Sequence, residues 1–331
     1  PTYGFRNENT LICSYTHNGD WHLAELNLTS GSLDEIEQPY TTLWSIHVDS
    51  ARVVFEGGSP NTMLEIAQID LSTGEYTVLQ KSSDIDIPER YISTPRAVTY
   101  PTQDGLYSHA FFYPPRNDDY EAPSGDKPPL MVSTHGGPTS STNSVLNPIV
   151  QYWTSRGFGV LDVNYGGSTG YGRSYMQRLN GKWGIVDIDD CVTGALFMAE
   201  NGEVDGERMV IRGGSAGGFT TLAALTFRDV FAAGASYFGV SDLAGLANET
   251  HKFESRYLDG LIGPYPERED LYDARSPIHH VEQLSCPIIF FQGMEDKVVL
   301  PNQAEMMVDA LRSKGIPVAY IPYEGEQHGF R

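Results

Sequence analysis

Hydrophobic and polar residues alternate in two similar stretches near the start of the chain. The first covers residues 21–28 and the second residues 63–71, and each is followed by a short polar turn that contains glycine. Alternation with a period of two, closed by such a turn, predicts β-strands that run into hairpins. Leu26 and Ile69 hold equivalent places in the two copies, which sets the repeat at 43 residues.

A strand repeat of this length is typical of β-propeller blades. Residues 1–96 hold about two such units, whereas a closed propeller needs at least four blades. We therefore interpret residues 1–96 as the C-terminal part of a propeller, and we expect the N-terminal blades to be missing. Two unrelated hairpins are the alternative interpretation.

The remainder of the chain, residues 97–331, changes to short apolar runs separated by helical stretches. Buried strands are predicted at residues 130–134, 159–163, 209–212, 233–237, 288–292 and 318–322, and helices at residues 187–199 and 302–313. Strands alternating with helices predict an α/β fold with a doubly wound, mostly parallel sheet. Because the sequence stops soon after its last histidine, we expect a C-terminal helix to be missing.

A serine between a predicted strand and a predicted helix is the strongest chemical signal in the chain. Ser215 stands in the run Gly-Gly-Ser-Ala-Gly-Gly, with residues 208–212 read as a strand and residues 219–225 as a helix. This is the nucleophile elbow of the α/β-hydrolases, in which small residues permit the sharp turn. We predict that Ser215 is a nucleophile. A glycine-rich turn with an incidental serine is the alternative.

A nucleophilic serine needs a base, and the base needs an orienting carboxylate, in the chain order serine, acid, histidine. Asp296 follows a predicted strand, where open parallel sheets place their sites. His328 is the only histidine after Asp296 and lies in a polar loop that follows the last predicted strand. We predict Asp296 as the acid, with Glu295 as the rival, and His328 as the base.

The oxyanion formed in acyl transfer needs two preorganised donors. One is predicted to be the backbone N–H of Ala216, directly after the nucleophile. The other is predicted from the His-Gly-Gly-Pro sequence after an early strand, where Gly136 or Gly137 can donate; an ordinary turn is the alternative. A second glycine-rich loop contains Tyr165, Gly166 and Gly167, which we expect to line the substrate pocket, although the loop could equally be structural.

Composition narrows the function further. The net charge is −21, which argues against nucleic-acid binding because that needs a basic face. The three cysteines are widely spaced and the adjacent histidines His279 and His280 lack a metal-site pattern, so we expect no metal and no cofactor. No apolar run is long enough for a membrane span. The few cysteines favour a reducing, cytoplasmic location, although the chain does not begin with Met.

The combination of motifs resembles the prolyl oligopeptidase family, and within it the acylaminoacyl-peptidase and dipeptidyl-peptidase branch. The motifs are His-Gly-Gly-Pro at 135–138, Asn-Tyr-Gly-Gly-Ser-Thr-Gly-Tyr-Gly at 164–172, Gly-Gly-Ser-Ala-Gly-Gly at 213–218, Gln-Gly-x-x-Asp at 292–296 and Gln-His-Gly-Phe at 327–330. The resemblance covers about 200 residues. It implies a propeller that caps a hydrolase domain, a triad of Ser215, Asp296 and His328, and a backbone donor in the His-Gly-Gly-Pro loop.

These observations predict a serine peptidase that hydrolyses short peptides through an acyl-enzyme, releasing acyl-amino acids or dipeptides. A carboxylesterase on the same fold is the alternative, because an acyl-enzyme also accepts esters, and a non-catalytic propeller scaffold is less favoured. The family's paired glutamates that hold a free amino terminus are not found in this sequence. The choice between free and blocked substrates therefore stays open, as does assembly into a homo-oligomer.

Overall fold

The computed structural model describes residues 2–249, 252 and 254–330. Contacts divide the chain into two compact units. The first unit comprises Pro1–Arg96, Tyr113–Glu121 and Asn143–Arg156, and the second comprises Ala97–Phe112, Ala122–Thr142 and Gly157–Arg331.

The first unit contains two four-stranded antiparallel sheets. Their strands are β1 (Tyr3–Asn7), β2 (Thr10–His17), β3 (Asp20–Asn27), β4 (Leu33–Ile36), β5 (Thr42–Val48), β6 (Arg52–Ser59), β7 (Thr62–Asp70) and β8 (Tyr76–Lys81). Each sheet follows the order of the chain, β1-β2-β3-β4 in one and β5-β6-β7-β8 in the other. Such four-stranded meanders are the blades of β-propellers, as the repeat predicted.

The two halves of the repeat share their turn chemistry as well as their strands. Leu26 lies in β3 and Ile69 in β7, the third strand of each sheet. Asn27 accepts backbone hydrogen bonds from the two residues at positions 29 and 30, and Asp70 accepts the same pair from positions 72 and 73. A side-chain oxygen that satisfies turn N–H groups fixes the end of a strand. The same local signal therefore ends the third strand in both sheets.

One hydrophobic core joins both sheets. It contains Ile12 and Leu23 from the first sheet and Leu43, Phe55 and Ile69 from the second, none of them more than 1% exposed. Each of these residues comes from a different strand, so the core is built from the buried face of both sheets. Burial of these faces against each other is the main stabilising interaction between the sheets.

Two later segments belong to the first unit through specific hydrogen bonds. The side chain of Gln151, in helix α1 (Pro148–Thr154), accepts from the N–H of Ser93 and donates to its carbonyl oxygen. Ser144 shares a hydroxyl hydrogen bond of 2.8 Å with Thr41. Leu146 extends this attachment with a backbone bond to Ser59. The segments between residues 113 and 156 are therefore divided between the two units.

The second unit is built on an eight-stranded sheet. Its strands are β9 (Arg96–Pro101), β10 (Tyr107–Tyr113), β11 (Leu130–Thr134), β12 (Gly159–Asn164), β13 (Met209–Gly214), β14 (Ala233–Tyr237), β15 (Ile288–Gly293) and β16 (Val318–Tyr323). The order is β16-β15-β14-β13-β11-β12-β10-β9, and β11 to β16 pair in parallel. All six strands predicted from apolar runs are present, and the mostly parallel α/β-hydrolase sheet is confirmed.

Helices connect these strands. They are α2 (Arg173–Met176), α3 (Val186–Glu200), α4 (Ala216–Phe227), α5 (Leu243–Glu249), α6 (Tyr257–Leu261), α7 (Glu269–Arg275) and α8 (Asn302–Ser313). The last of these has the bounds that its periodicity predicted, and Gly315 follows it with a φ of 70°, as a helix-ending glycine does. Within the described residues, no helix has both the length and the apolar character that a membrane span requires.

Candidate active site

Ser215 occupies a strained turn between β13 and α4. Its φ is 55° and its ψ is −121°, a combination that L-residues rarely adopt. The N–H of Ser215 donates to the carbonyl oxygen of Tyr237, and its own carbonyl accepts from Phe219 at 3.1 Å. Strand β13 thus ends and helix α4 begins on either side of one residue. This is the geometry of the nucleophile elbow.

Glycines around the serine are required by close backbone contacts. A Cβ added to Gly213 would lie 2.3 Å from the carbonyl oxygen of Gly217, and one added to Gly217 would lie 2.3 Å from that of Thr134. A Cβ on Gly218 would lie 2.5 Å from the Cα of Gly239. Each of these contacts is shorter than a real Cβ contact. The glycines therefore allow the first turn of α4 to pack against the ends of the neighbouring strands.

The acid and the histidine meet beyond the ends of β15 and β16. The Nδ1 of His328 lies 2.7 Å from Oδ2 of Asp296, whose side chain is fully buried. Asp296 Oδ1 accepts the N–H groups of Val298 and Val299 at 2.8 and 3.0 Å. Glu295, the rival carboxylate, is exposed. The carboxylate that holds the histidine is therefore that of Asp296, and Nδ1 is the nitrogen it engages.

Backbone and ring contacts hold the histidine loop near the elbow. The N–H of Glu295 donates to the carbonyl oxygen of Glu326, which ties the loop before His328 to the loop before Asp296. The ring of Phe238 packs edge-on against His328, with centroids 4.7 Å apart. A Cβ on Gly214, next to Ser215, would lie 3.0 Å from the same phenyl ring. Phe238 therefore contacts both the histidine and the turn that carries the serine.

A cleft opens at Ser215. Gly137, Ser215 and Ala216 are among the residues that line it. Ala216 is the first residue of α4, so its N–H has no partner within the helix. Gly136 packs tightly behind the serine, since its added Cβ would lie 3.6 Å from the Cβ of Ser215. The structure thus brings the predicted nucleophile and two of the predicted oxyanion donors, Ala216 and Gly137, to one cleft, whereas Gly136 is outside its described lining.

The second glycine-rich loop lies elsewhere. Tyr165, Gly166 and Gly167 are all buried, and none of them is among the described residues that line the cleft. A Cβ on Gly166 would clash with Arg178, and one on Gly167 would lie 2.6 Å from the side chain of Leu179. These residues are therefore outside the described lining of the cleft, which differs from the pocket-lining position expected from the sequence.

The comparisons with known proteins agree with this geometry. Residues 144–331 match the model of the prolyl oligopeptidase family. The chain belongs to the prolyl oligopeptidase family. In this family, dipeptidyl aminopeptidase BIII of Pseudoxanthomonas mexicana is 32% identical over 208 residues, which cover 61% of this chain and 30% of that protein. An acylamino-acid-releasing enzyme of Arabidopsis thaliana is 31% identical over 218 residues, covering 62% and 28%.

A solved structure extends the likeness to both units. It is that of a puromycin-hydrolyzing peptidase of Mycobacterium tuberculosis, with a TM-score of 0.96 and 43% identity. The match covers 99% of this chain and 50% of that one. The chain thus spans about half the length of this solved structure. The parts that match the two curated relatives cover 30% and 28% of the length of those proteins.

Two buried acids in helix α3 were not predicted from the sequence, and neither is among the described residues that line the cleft. Asp187, fully buried in α3, accepts from the N–H of Gly184 and from the hydroxyl of Thr220 in α4. Asp190 accepts from the N–H of Gly166 at 2.7 Å. Burial raises the pKa of each carboxyl to about 6. Neither acid belongs to the apolar face that residues 188, 192, 195 and 199 form, so helical periodicity does not predict that these carboxyl groups are buried.

The histidine pair interacts with neighbouring acids. His279 lies 3.6 Å from a carboxylate oxygen of Asp273, and His280 contacts the carbonyl oxygen of the same residue and the carboxylate of Glu282. Among residues 2–249, 252 and 254–330, no group of three or more His, Cys, Asp or Glu side chains has a metal-binding arrangement.

The elbow makes a direct prediction about Gly217. We expect Gly217→Ala to lower activity by about 100-fold or more, because the new methyl group would push α4 away from the backbone of Thr134 and displace Ser215. The measurement is kcat/KM on a peptide substrate. Gly260→Ala is the control: it lies in α6 with no atom within 4 Å of the added Cβ, and it should keep full activity. Equal activity in the two variants would contradict this account.

The buried carboxyl of Asp187 predicts a pH-dependent stability. Since burial raises its pKa to about 6, the folded protein binds this proton up to a higher pH than the unfolded chain does. Its contribution to stability is therefore largest below about pH 4, declines as the pH rises, and stays low above about pH 6. Asp187→Asn cannot ionise. We expect the Tm of this variant, relative to wild type, to rise between about pH 4 and pH 7.

Asp205 provides the control for that measurement. The N–H of Glu207 and the side chain of Arg208 lower the pKa of this carboxyl, so its contribution is lost as the pH falls. The Tm difference between Asp205→Asn and wild type should therefore stay nearly constant between about pH 4 and pH 7 and should change only below about pH 4. A Tm difference for Asp187→Asn that does not vary with pH would show that the ionisation of Asp187 does not affect folding.

Proposed function

We propose that this chain carries the catalytic centre of a serine peptidase that hydrolyses short peptides through an acyl-enzyme. One observation carries the proposal: a serine on a strained elbow opens on a cleft, and a buried Asp296 paired with His328 lies beyond two strands on the same side of the nucleophile strand. The family membership of the chain supports this activity, as do the names of its relatives.

The mechanism follows from the roles of these groups. Ser215 Oγ attacks the carbonyl carbon of the scissile bond while the Nε2 of His328 accepts the hydroxyl proton. The N–H of Ala216 and that of Gly137 stabilise the oxyanion. Collapse of the tetrahedral intermediate expels the amine, which takes the proton from His328. Water then hydrolyses the acyl-serine by the same steps, which restores Ser215 and releases the acid.

Asp296 maintains the histidine in the required state. Its carboxylate accepts from Nδ1–H, which leaves Nε2 as the acceptor of the serine proton. Two backbone N–H groups, from Val298 and Val299, hold the other carboxylate oxygen. Since the side chain is fully buried, its charge acts on the imidazolium with little screening.

The triad generates a prediction with a matched control. We expect Ser215→Ala to lower kcat by about 10⁴-fold or more and Asp296→Asn by about 10⁴-fold, because each removes a member of a unit that acts together. Glu295→Gln changes the adjacent, exposed carboxylate and should keep nearly full activity. The measurement is kcat on a chromogenic peptide with the full-length protein. Loss of activity in Glu295→Gln equal to that in Asp296→Asn would exclude the assigned acid.

The shape of the cleft supports a preference for apolar substrates. Its wall includes Trp183, Val240, Leu246, Tyr257, Leu258 and Val299. Glu254 is the only acidic side chain among the described residues that line it. An apolar wall stabilises a buried apolar side chain, and a carboxylate repels an acidic one. We infer that the residue on the acyl side of the scissile bond is large and apolar.

A peptide series tests this preference. We expect kcat/KM to be about 10- to 100-fold higher with phenylalanine or leucine at that position than with aspartate or glutamate. Leu246→Phe, which narrows the cleft, should lower the rate with phenylalanine more than the rate with alanine. Leu271→Phe lies outside the described lining and should leave this ratio unchanged. Equal rates for apolar and acidic residues would rule out the cleft as the specificity site.

The terminus that the enzyme requires is not decided by the relatives, because one is named for aminopeptidase activity and another for releasing acylamino acids. The peptide series should therefore contain each sequence with a free and with an acetylated amino group. A cytoplasmic location and assembly into a homo-oligomer remain proposals; the three free cysteines, Cys13, Cys191 and Cys286, are compatible with a reducing compartment.

A further inference from the structure

A buried tyrosine hydroxyl contacts both ends of the glycine pair that supplies the proposed oxyanion donor. The hydroxyl of Tyr165 donates to the carbonyl oxygen of Pro138 at 2.9 Å and lies 3.3 Å from the carbonyl oxygen of His135. These two carbonyls flank Gly136 and Gly137 in sequence. One hydroxyl group therefore spans the whole loop at residues 135–138.

The ring of Tyr165 adds a second contact to the same loop. It stacks on the imidazole of His135 with centroids 4.3 Å apart and an interplanar angle of 18°. Burial lowers the pKa of His135 to about 4, so this imidazole is neutral at ordinary pH. Its Nδ1 bonds to the carbonyl of Gly136 at 2.8 Å, and its Nε2 bonds to Ser168 at 2.7 Å. The loop is therefore held from one side by a connected set of groups.

Tyr165 is itself firmly placed. It is fully buried, and burial raises the pKa of its hydroxyl well above the ordinary value, so the group stays protonated as a donor. The next residue, Gly166, donates its N–H to Asp190, which is also paired with Arg178 at 3.5 Å. Helix α3 thus anchors the segment from which Tyr165 reaches the loop at residues 135–138.

The loop needs such support because glycine has no side chain to restrict its backbone. Two consecutive glycines can adopt many conformations, and only some of them aim an N–H at the cleft. A donor works in catalysis only when it is already oriented toward the developing charge. The Tyr165 hydroxyl holds the His135 carbonyl, in the peptide plane before Gly136, and the Pro138 carbonyl, in the plane after Pro138. The plane between them that carries the Gly137 N–H is held through its own carbonyl, that of Gly136, by Nδ1 of the His135 ring on which Tyr165 stacks.

We propose that Tyr165 is a positioning residue for the oxyanion hole, whose hydroxyl fixes the His135 and Pro138 carbonyls and thereby the orientation of the Gly137 N–H. The proposal rests on the proposed function, because it assigns Gly137 as a donor to the reaction intermediate. Tyr165 itself does not touch the substrate. A tyrosine that only filled the core would leave the orientation of this N–H unchanged when its hydroxyl was removed.

Tyr165→Phe in the full-length protein tests this proposal, since it removes one oxygen and retains the stacked ring. We expect kcat to fall about 10- to 100-fold, less than the loss of a complete oxyanion donor can cause, while KM changes by less than about threefold. Rates are divided by the concentration of active sites, measured by fluorophosphonate labelling, so that partial unfolding does not affect them.

A second readout reports on the oxyanion hole alone. An ester substrate and its thiono analogue, in which sulfur replaces the carbonyl oxygen, differ in how well the developing anion accepts hydrogen bonds. The wild-type protein should prefer the oxygen ester, and Tyr165→Phe should reduce the ratio of the two kcat/KM values about tenfold. This ratio is independent of the fraction of protein that is folded. An unchanged ratio would overturn the proposal.

Tyr272→Phe is the matched control. Tyr272 is also fully buried, and its hydroxyl donates to a carbonyl, that of Gly263, at 2.8 Å. This variant should keep the wild-type ratio of the two esters and nearly the wild-type kcat. An equal loss in both variants would overturn the assignment of Tyr165. If wild-type protein is inactive and Ser215 is not labelled, the proposed function fails instead, so the two failures are distinguishable.

Discussion

Close approach of backbone to backbone around Ser215 is the constraint on which the rest of the site depends. Only Ser215 separates the end of strand β13 from the start of helix α4. The first turn of this helix therefore packs directly on the carbonyl oxygens of Thr134 and His135. No side chain fits in this contact, which excludes every residue except glycine at positions 213 and 217. The unfavourable φ of Ser215 is maintained because the strand and the helix on either side are both well packed.

The groups around the serine are held mainly by the backbone. Asp296 is oriented by two N–H groups, and the loop before His328 is bonded through the backbone to the residue before the acid. Such contacts lose little conformational entropy on folding compared with long flexible side chains. Parallel strands also end at one edge of the sheet, so groups distant in sequence meet without long loops. The site is therefore as rigid as the sheet that carries it.

Much of this arrangement could be predicted because its signals are local. The apolar run before Ser215, the glycines around it and the helical pattern after it are all found within about twenty residues. The chain order of serine, acid and histidine then singled out His328. Asp296 was predicted over Glu295 from its place beyond a strand, but only the structure shows which of the two adjacent carboxylates turns inward to the histidine.

Other features depend on contacts between distant segments, which no local pattern reports. The sequence around Tyr165 indicates a glycine-rich loop that lines the pocket or is structural, and only the fold shows that the tyrosine ring stacks on His135. Asp187 has the sequence position of an exposed helix-start acid, yet it is buried against Thr220. Residues 143–156 belong to the first unit through contacts with segments far away in sequence, such as the hydrogen bond of Ser144 with Thr41.

That last feature has a consequence for synthesis on the ribosome. The first unit includes segments that follow Arg96 in the chain, so its amino-terminal sheets are translated before the residues that complete it. The backbone N–H and carbonyl of Ser93 both bond to the side-chain amide of Gln151, so these two hydrogen bonds cannot form until Gln151 has been translated. The unit therefore cannot complete its folding as soon as its two sheets have been translated. Its folding is completed only after strand β11 of the other unit has been synthesised.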